Sequence, residues 1–460
     1  MKVTLKRAAL RLPRTRSAQA VWRTIVGWAG PPFLRHALRR WFVALDDGAK
    51  FILPRIPSSP PPTGKHALVV MPFFGVDAAS VVMESASAAL AAAGYTVHAL
   101  HYNASKNRPR SPHWSHSYFL EAQSGSFGTT RARPSALSAA GETDFDAIDD
   151  WAGDELALFV AALGRAFAFE ICVCNYVFLS RCLDTLPPAT LRVLYTHDVF
   201  ANRNARISAA GGSPAGWYFS TSEAEEAKGL RRADLVVALQ AEEGAYFESV
   251  VGHEHVYVLP YVPPQRFLPP RPPSSPFVLG YIASAHYPNV DAIRSFIALF
   301  DFSADVVLRI AGSVCMWLAK SKLPPQVELL GMVDDLPKFY ASCDLLINPD
   351  MLRSGLKVKC VEALSFGRPL ICTAAASAGI GMTADYHSAP AVADAARYAA
   401  RATRDSEFRD SVTTESRSVF TSYRQRYSTQ NLLERCAELV KTTERKIEAA
   451  RGPRMRASGE

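Results

Sequence analysis

Residues 344–373 read DLLINPDMLRSGLKVKCVEALSFGRPLICT. An apolar run, LLINP, precedes a short loop, a segment with apolar residues at helical spacing, and a second apolar run, PLICT. This order predicts a strand, a helix and a second parallel strand, with the helix covering the pair. The helix carries Lys357 and Lys359 near its start, where lysine is unfavourable, and Glu362 further along. We therefore predict an anion-binding site, since helix amides and both lysines lie beyond the carboxyl ends of the strands.

The same alternation extends through most of the 460 residues. Runs such as HALVVMPF, EICVCNYVF and ADLVVALQ alternate with helical segments in the first half, and runs such as VLGYIAS and DVVLRIAG do so in the second. A proline-rich stretch precedes each half. We predict an α/β protein with two Rossmann-like domains that face each other across a cleft. The predicted units are a basic N-terminal extension (1–64), a first domain (65–262), a linker (263–276), a second domain with C-terminal helices (277–440) and a tail (441–460).

Two segments do not fit the alternation. Residues 103–140 are rich in Ser, Arg and Pro and predict a long loop, a feature that in compact domains is often functional. Asp144 and Asp146 form a D-x-D pattern, but they lie in an acidic loop without flanking strands, so we predict no metal site there.

The net charge of +8 is concentrated at the N-terminus. Residues 1–65 contain 13 Lys and Arg against two Asp, which leaves the remaining chain at −3. This distribution argues against a nucleic-acid-binding body. The extension also contains aromatic residues: Trp22, Trp28, Phe33, Trp41 and Phe42. Three interpretations stay open, namely contact of residues 1–60 with an anionic membrane surface, a helical hairpin packed on the body, and an organelle presequence.

Other patterns limit the class of protein. The eight cysteines are scattered and match neither a disulfide framework nor a zinc motif, which favours a reducing cytoplasm. No run reaches the roughly 18 apolar residues of a membrane-spanning helix. Neither G-x-x-x-x-G-K-[ST] nor G-x-G-x-x-G follows a predicted strand, which disfavours ATP and dinucleotide cofactors.

The residues alone leave alternatives at each candidate site. Lys357 and Lys359 either bind an anion or are solvated. Glu362 either accepts hydrogen bonds from two ribose hydroxyls or forms an ion pair with a neighbouring base. His197, in VLYTHD at the end of an apolar run, either faces the cleft or is hydrogen-bonded by local backbone.

Five stretches, in this order, resemble glycosyltransferase family four, whose members are retaining enzymes of the GT-B architecture. They are VLYTHDVFANR, EEAKGLRRADLVVALQAEEGAYF, FVLGYIASAHYPNVDAI, DVVLRIAGS, and the run from VELLGMV to SAGI. The resemblance covers roughly residues 66–440 and is most specific from Gly331 to Gly379.

The resemblance implies roles for the charged residues of the second domain. Glu362 is similar to the second glutamate of the family's paired motif and would bind the ribose. Lys359 matches the lysine that precedes this glutamate and would neutralise the leaving diphosphate. The backbone around Ser354, Gly355, Leu356 and Lys357 would hold the diphosphate or the sugar.

The resemblance also implies roles elsewhere. Gly331, Val333 and Asp334 would line the base. In the first domain, His197 would lie near the transferred sugar, with Asp198 beside it.

This chain departs from the family pattern at two places. Serine stands at position 354 instead of the first paired glutamate, and an arginine and a lysine common after the first strand of the second domain are absent. Asn289 or His286, or the lysines Lys357 and Lys359, would then take over the phosphate charge.

We therefore expect a glycosyltransferase that moves a sugar from a nucleoside-diphosphate sugar to a hydroxyl with retention, without metal or cofactor. The expected acceptor is a glycan or lipid-linked glycan in surface polysaccharide or glycolipid assembly. The expected place is the cytoplasm or the inner face of the cell membrane. Two alternatives stay open: a non-catalytic sugar-nucleotide-binding scaffold, and a nucleotide-sugar epimerase or phosphorylase of the same architecture.

Overall fold

The computed structural model describes residues 54, 56, 64–72, 79–103, 109–121, 147–209, 219–269, 271, 276–353 and 355–450. These residues form two parallel β-sheets, of seven and five strands, both flanked by helices. The predicted α/β architecture of two Rossmann-like domains is confirmed. The basic extension up to residue 53, the D-x-D pattern and the end of the tail lie outside the described residues.

The first sheet has the strand order β3-β2-β1-β4-β5-β6-β7. Its strands are β1 (Lys65–Pro72), β2 (Tyr95–Tyr102), β3 (His116–Leu120), β4 (Phe169–Asn175), β5 (Leu191–Tyr195), β6 (Leu235–Ala238) and β7 (Val256–Val258). Its helices are α1 (Ala79–Ala92), α2 (Asp154–Ala166), α3 (Arg203–Ala209), α4 (Glu223–Leu230) and α5 (Ala241–Val251). The strand order reverses between β1 and β4, and parallel α/β sheets form their ligand crevice at such a point.

The central strands are apolar throughout because both faces of the sheet are covered. Along β1, Val69 and its alternate neighbours pack in the cluster that contains Met83 of α1. Leu68 and Val70 point the other way and pack in the cluster that contains Phe159 of α2. This two-residue period places the first domain's core on both faces of the sheet.

The prediction of a loop over residues 103–140 is wrong at its centre. His116–Leu120 form the edge strand β3, which pairs in parallel with β2 from His98 to Tyr102. Tyr118 and Leu120 are buried, whereas Phe119 between them is only partly buried and Ser117 before them is exposed. The Ser, Arg and Pro residues around this short alternation hid it, and residues 104–108 and 122–146 lie outside the described part.

The second sheet has the strand order β10-β9-β8-β11-β12. Its strands are β8 (Phe277–Ile282), β9 (Val306–Ala311), β10 (Val327–Gly331), β11 (Leu345–Asn348) and β12 (Leu370–Cys372). Its helices are α6 (Tyr287–Leu299), α7 (Cys315–Leu318), α8 (Leu336–Ala341), α9 (Val358–Ser365), α10 (Ala374–Ser377), α11 (Val392–Arg404) and α12 (Ser406–Arg426). The strand-helix-strand unit predicted for residues 344–373 is β11, α9 and β12, and its two strands pair in parallel.

The last helix, α13 (Thr429–Ala450), lies against the first domain. Arg435 on this helix donates a hydrogen bond to the carbonyl of Glu254, at 3.2 Å. Just before it, the Tyr423 hydroxyl of α12 donates to the carbonyl of Tyr261, at 2.8 Å. The chain thus passes between the two domains a second time near its end. No helix within the described ranges is both long and apolar enough to cross a membrane.

Candidate active site

A buried aspartate links the two lysines predicted at the start of α9. Asp350 follows β11, and its side-chain oxygen Oδ2 lies 3.5 Å from Nζ of Lys357 and 3.9 Å from Nζ of Lys359. Only 3% of Asp350 is exposed. Burial alone would raise the pKa of this carboxyl, but the two lysines hold it below its ordinary value. Sequence reasoning gave Asp350 no role, although an acid directly after an apolar strand was a usable signal.

Lys359 is held by groups from the first strand and helix of the second domain. Its Nζ donates to Oδ1 of Asn289 at 2.7 Å and to the hydroxyl of Tyr281 at 3.3 Å. The ammonium group also lies 5.0 Å from the centre of the Tyr281 ring. Asn289 is fixed in turn, because its Nδ2 donates to the carbonyl of Ser284 at 3.2 Å. The structure therefore brings together Asn289 and Lys359, two residues that were predicted separately.

Glu362 lies one turn beyond Lys359 on α9. Its Oε2 accepts a long hydrogen bond, of 3.4 Å, from the hydroxyl of the buried Tyr340. Burial raises the pKa of Glu362 to about 7. The alternative prediction of an ion pair finds no support, since no base lies within salt-bridge distance among the described residues. A partly protonated, poorly solvated carboxyl of this kind is stabilised by a ligand that donates hydrogen bonds to it.

His197 lies at the carboxyl end of β5 with a left-handed backbone, at φ 64°. Its Nε2 lies 2.9 Å from Oδ1 of Asn175, whose Nδ2 donates to the carbonyl of Val70. Because Oδ1 of Asn175 is an acceptor, Nε2 of His197 carries the hydrogen and Nδ1 is left as an acceptor. Burial lowers the pKa of His197 to about 3, so the ring is neutral. The alternative prediction was that local backbone holds His197 by a hydrogen bond. The structure shows that a side chain, that of Asn175, holds it instead.

The loop after His197 is tied down by two carboxylates. Asp198 forms a 2.8 Å ion pair with Arg203. Glu226 of α4, which is fully buried, accepts hydrogen bonds from the backbone amides of Phe200 and Ala201 at 2.7 and 3.0 Å. Glu226 lies in one of the stretches that carry the family resemblance, but nothing in the sequence indicated that it binds this loop.

The two domains meet where these loops approach each other. Gly355 has φ 60°, and a Cβ at this position would lie 3.2 Å from the carbonyl oxygen of His197. Glycine is favoured here by both the left-handed backbone and the close approach. Leu356 is buried next to it. Ser354, which was predicted to bind the donor, lies outside the described residues.

The residues predicted to line the base lie at the carboxyl end of β10. Gly331 has φ 69° and accepts a hydrogen bond from the amide of Gly312 at 2.7 Å. Val333 is partly buried and Asp334 is exposed. They lie at the same edge of the sheet as the loop after β11, although no described hydrogen bond connects them to Lys359.

Comparison with protein families identifies the second domain. A family model described as "Glycosyl transferases group 1" matches residues 276–404, the range that contains Asp350, both lysines and Glu362. Residues 276–404 are therefore similar to group 1 glycosyltransferases. The predicted enzyme class, a glycosyltransferase, is confirmed, and so is the resemblance inferred from the sequence.

Solved structures confirm the GT-B fold of this glycosyltransferase. Sucrose-phosphate synthase from Thermosynechococcus elongatus aligns with a TM-score of 0.57 at 15% identity, covering 84% of this chain and 100% of that one. HepE from Anabaena, solved with UDP and glucose, gives 0.52 at 13% identity and covers 82% and 100%. WaaG, described as a glycosyltransferase involved in lipopolysaccharide biosynthesis, gives 0.52 at 14% identity and covers 82% and 99%. A comparison with curated protein sequences gives no match.

Proposed function

We propose that this glycosyltransferase moves a hexose from a nucleoside-diphosphate sugar to a hydroxyl group, with retention of the anomeric configuration. The observation that carries the proposal is the pair of largely buried lysines that share Asp350 at the start of α9. Glu362 lies one turn further along this helix. Across the cleft, His197 of the first domain faces Gly355, in the loop that precedes α9.

The lysine pair suits the diphosphate. Lys357 and Lys359 carry two positive charges against one negative charge on Asp350, so positive charge remains for a ligand. A diphosphate placed there would accept charge-assisted hydrogen bonds from the lysines. It would also accept hydrogen bonds from the backbone amides at the start of α9. The same charges would stabilise the diphosphate as it leaves, which is catalysis by preorganised electrostatics and requires no metal.

Glu362 suits the nucleoside. Its carboxyl can accept hydrogen bonds from two neighbouring ribose hydroxyls, and these bonds would favour the ionised form that burial now disfavours. The backbone from Gly331 to Asp334 would then lie along the base.

His197 suits the sugar. Its Nδ1 is an acceptor on a neutral ring, so it can accept a hydrogen bond from a sugar hydroxyl but is a poor proton donor. The contact between the His197 carbonyl and Gly355 would exclude water from the reacting carbon, and water otherwise competes as acceptor.

For the acceptor we propose a glycan or lipid-linked glycan of surface polysaccharide or glycolipid assembly, used at the cytoplasmic face of a membrane. The support is the description of WaaG and the basic, aromatic composition of residues 1–60. Deleting residues 1–60 should abolish binding to anionic vesicles, and unchanged binding would reject the membrane contact.

The donor is tested by thermal melting against UDP-, GDP-, ADP- and dTDP-sugars. Ligand at about 100 times its dissociation constant adds roughly 2.7 kcal/mol of stability. One base family should raise the melting temperature, and Glu362→Ala should remove the increase. Transfer should be lost in Lys359→Ala and kept in Lys338→Ala, an exposed lysine of the same domain.

Two outcomes would overturn the proposal. No stabilisation by any donor would contradict a nucleotide-sugar site, and full turnover in Lys359→Ala or Glu362→Ala would contradict the assigned roles. Product analysis separates transfer to a hydroxyl from epimerisation or phosphorolysis, and binding without turnover would indicate a scaffold.

A further inference from the structure

Glu243 is a buried carboxyl of the first domain with one oxygen unused. It is the third residue of α5, and only 8% of it is exposed. The backbone amide of Leu239, two residues before the helix, donates a hydrogen bond to the side chain. The other oxygen, Oε2, has no hydrogen-bond partner among the described residues. The Leu239 amide therefore accounts for one of the two oxygens, and an unsatisfied buried oxygen is costly.

The start of α5 faces the second domain at the same cleft. Gln240, which precedes the helix, packs so closely on Gly379 that a Cβ there would lie 2.8 Å from the Gln240 side chain. The charged groups that act on Glu243 are Asp198, Lys357 and Arg206, and Lys357 belongs to the second domain. Glu243 thus lies close enough to Asp198, in the loop after His197, and to Lys357 of the second domain for both charges to act on it.

Three neighbouring carboxylates, those of Asp350, Asp198 and Glu226, have partners for both of their oxygens. Asp350 binds the lysine pair, and its second oxygen accepts from a backbone amide. Asp198 accepts from the amide of Val199 and pairs with Arg203. Glu226 holds two backbone amides. Of these carboxylates and Glu243, it is Oε2 of Glu243 that is left for a ligand.

We propose that Glu243 contacts the transferred sugar, with Oε2 forming a hydrogen bond to one of its hydroxyl groups. This inference rests on the proposed function. A sugar hydroxyl fits better than a phosphate oxygen, because a phosphate at this place would lie close to the acidic group of Asp198. A hydroxyl carries no charge and can both donate and accept.

The direction of this hydrogen bond follows from the environment. Burial raises the pKa of Glu243 well above its ordinary value, Asp198 raises it further, and Lys357 and Arg206 oppose the increase. Burial therefore favours the protonated form of this carboxyl. In the protonated form the other oxygen is occupied by the Leu239 amide, so Oε2 would carry the proton and donate it in a hydrogen bond to the sugar hydroxyl. Glutamine reproduces this arrangement, with Oε1 as acceptor and Nε2 as donor.

The test measures dissociation constants by calorimetry for a nucleoside diphosphate and for the matching nucleotide-sugar. We expect Glu243→Ala to bind the diphosphate like the wild type but the nucleotide-sugar about ten- to thirtyfold more weakly, the usual effect of losing a buried hydrogen bond. Glu243→Gln should stay within about threefold of the wild type. Glu242→Ala, at the exposed neighbouring position, is the matched control and should change neither constant. Glu243→Met keeps most of the side-chain volume and replaces the alanine variant if that variant does not fold.

A second arm uses nucleotide-sugars that lack one sugar hydroxyl each. One of them should bind the wild type weakly and bind Glu243→Met with no further loss, which identifies the bonded hydroxyl. The inference is overturned if Glu243→Ala and Glu243→Met bind the nucleotide-sugar as well as the wild type. It is also overturned if they lose the diphosphate and the nucleotide-sugar equally. A wild type that binds neither ligand would overturn the proposed function itself, a result distinct from both.

Discussion

Substitution of Glu362 by glutamine should remove a pH dependence of donor binding. Burial raises the pKa of Glu362 to about 7 in the free enzyme. Ribose hydroxyls that donate to the carboxylate favour its charged form, so binding should return the pKa toward its ordinary value. A nucleotide-sugar must then displace the proton from Glu362, and its affinity should fall as the pH decreases through 7.

The expected size follows from the two pKa values. With a pKa of about 7 free and about 4.5 bound, linkage gives a roughly thirtyfold weaker affinity at pH 5.5 than at pH 8. Binding should release about 0.9 proton at pH 6 and about 0.1 at pH 8. Glutamine does not titrate, so Glu362→Gln should show neither effect.

The assay is calorimetric titration in pairs of buffers that differ in ionisation enthalpy, which measures the protons released. A nucleotide-sugar is the right ligand because its diphosphate is esterified at both ends and does not titrate in this range. Subtracting the pH profile of Glu362→Gln removes the contributions of all other groups. The reasoning is refuted if both proteins give the same profile, or if the wild type binds more tightly as the pH falls.

Three further substitutions test the geometry of the cleft. Lys359→Ala should weaken nucleoside-diphosphate binding by about 2 kcal/mol, roughly thirtyfold, because only one lysine remains on Asp350; an unchanged dissociation constant in calorimetry would contradict this. Gly355→Ala should cost about 1 kcal/mol from its left-handed backbone and more from the approach to the His197 carbonyl, so turnover and the melting temperature should both fall. Glu226→Ala should lower the free energy of unfolding in urea by about 2–5 kcal/mol, since two backbone amides lose their acceptor; a loss below 1 kcal/mol would show that water replaces it.

The alternation of apolar runs and helical segments was enough to predict both sheets. It succeeded because central parallel strands are covered on both faces and are therefore apolar throughout. It failed at β3, an edge strand of five residues in which only alternate side chains are buried. Edge strands are short and partly polar, so their sequences differ little from loops.

The site was predictable in part. Family resemblance selected Asn289 and Lys359, which the fold joins by a 2.7 Å hydrogen bond across 70 positions of sequence, and their roles in binding stay predictions. Asp350 and Glu243 were not selected. Asp350 matters because of the two lysines that it binds, and Glu243 because one of its buried oxygens has no partner among the described residues. No local pattern in a single sequence shows which side chains meet in the fold or which are left without a partner.

The helix α13 places a mechanical limit on how the enzyme can open. The polypeptide crosses between the domains once around Tyr261 and again after Tyr423, and these two crossings are hydrogen-bonded to each other. Two bodies joined at two neighbouring points can rotate about the line through them but cannot slide apart. The cleft should therefore open by a hinge rotation of one domain about that line. The largest displacement should occur at the rim of the cleft farthest from Tyr261.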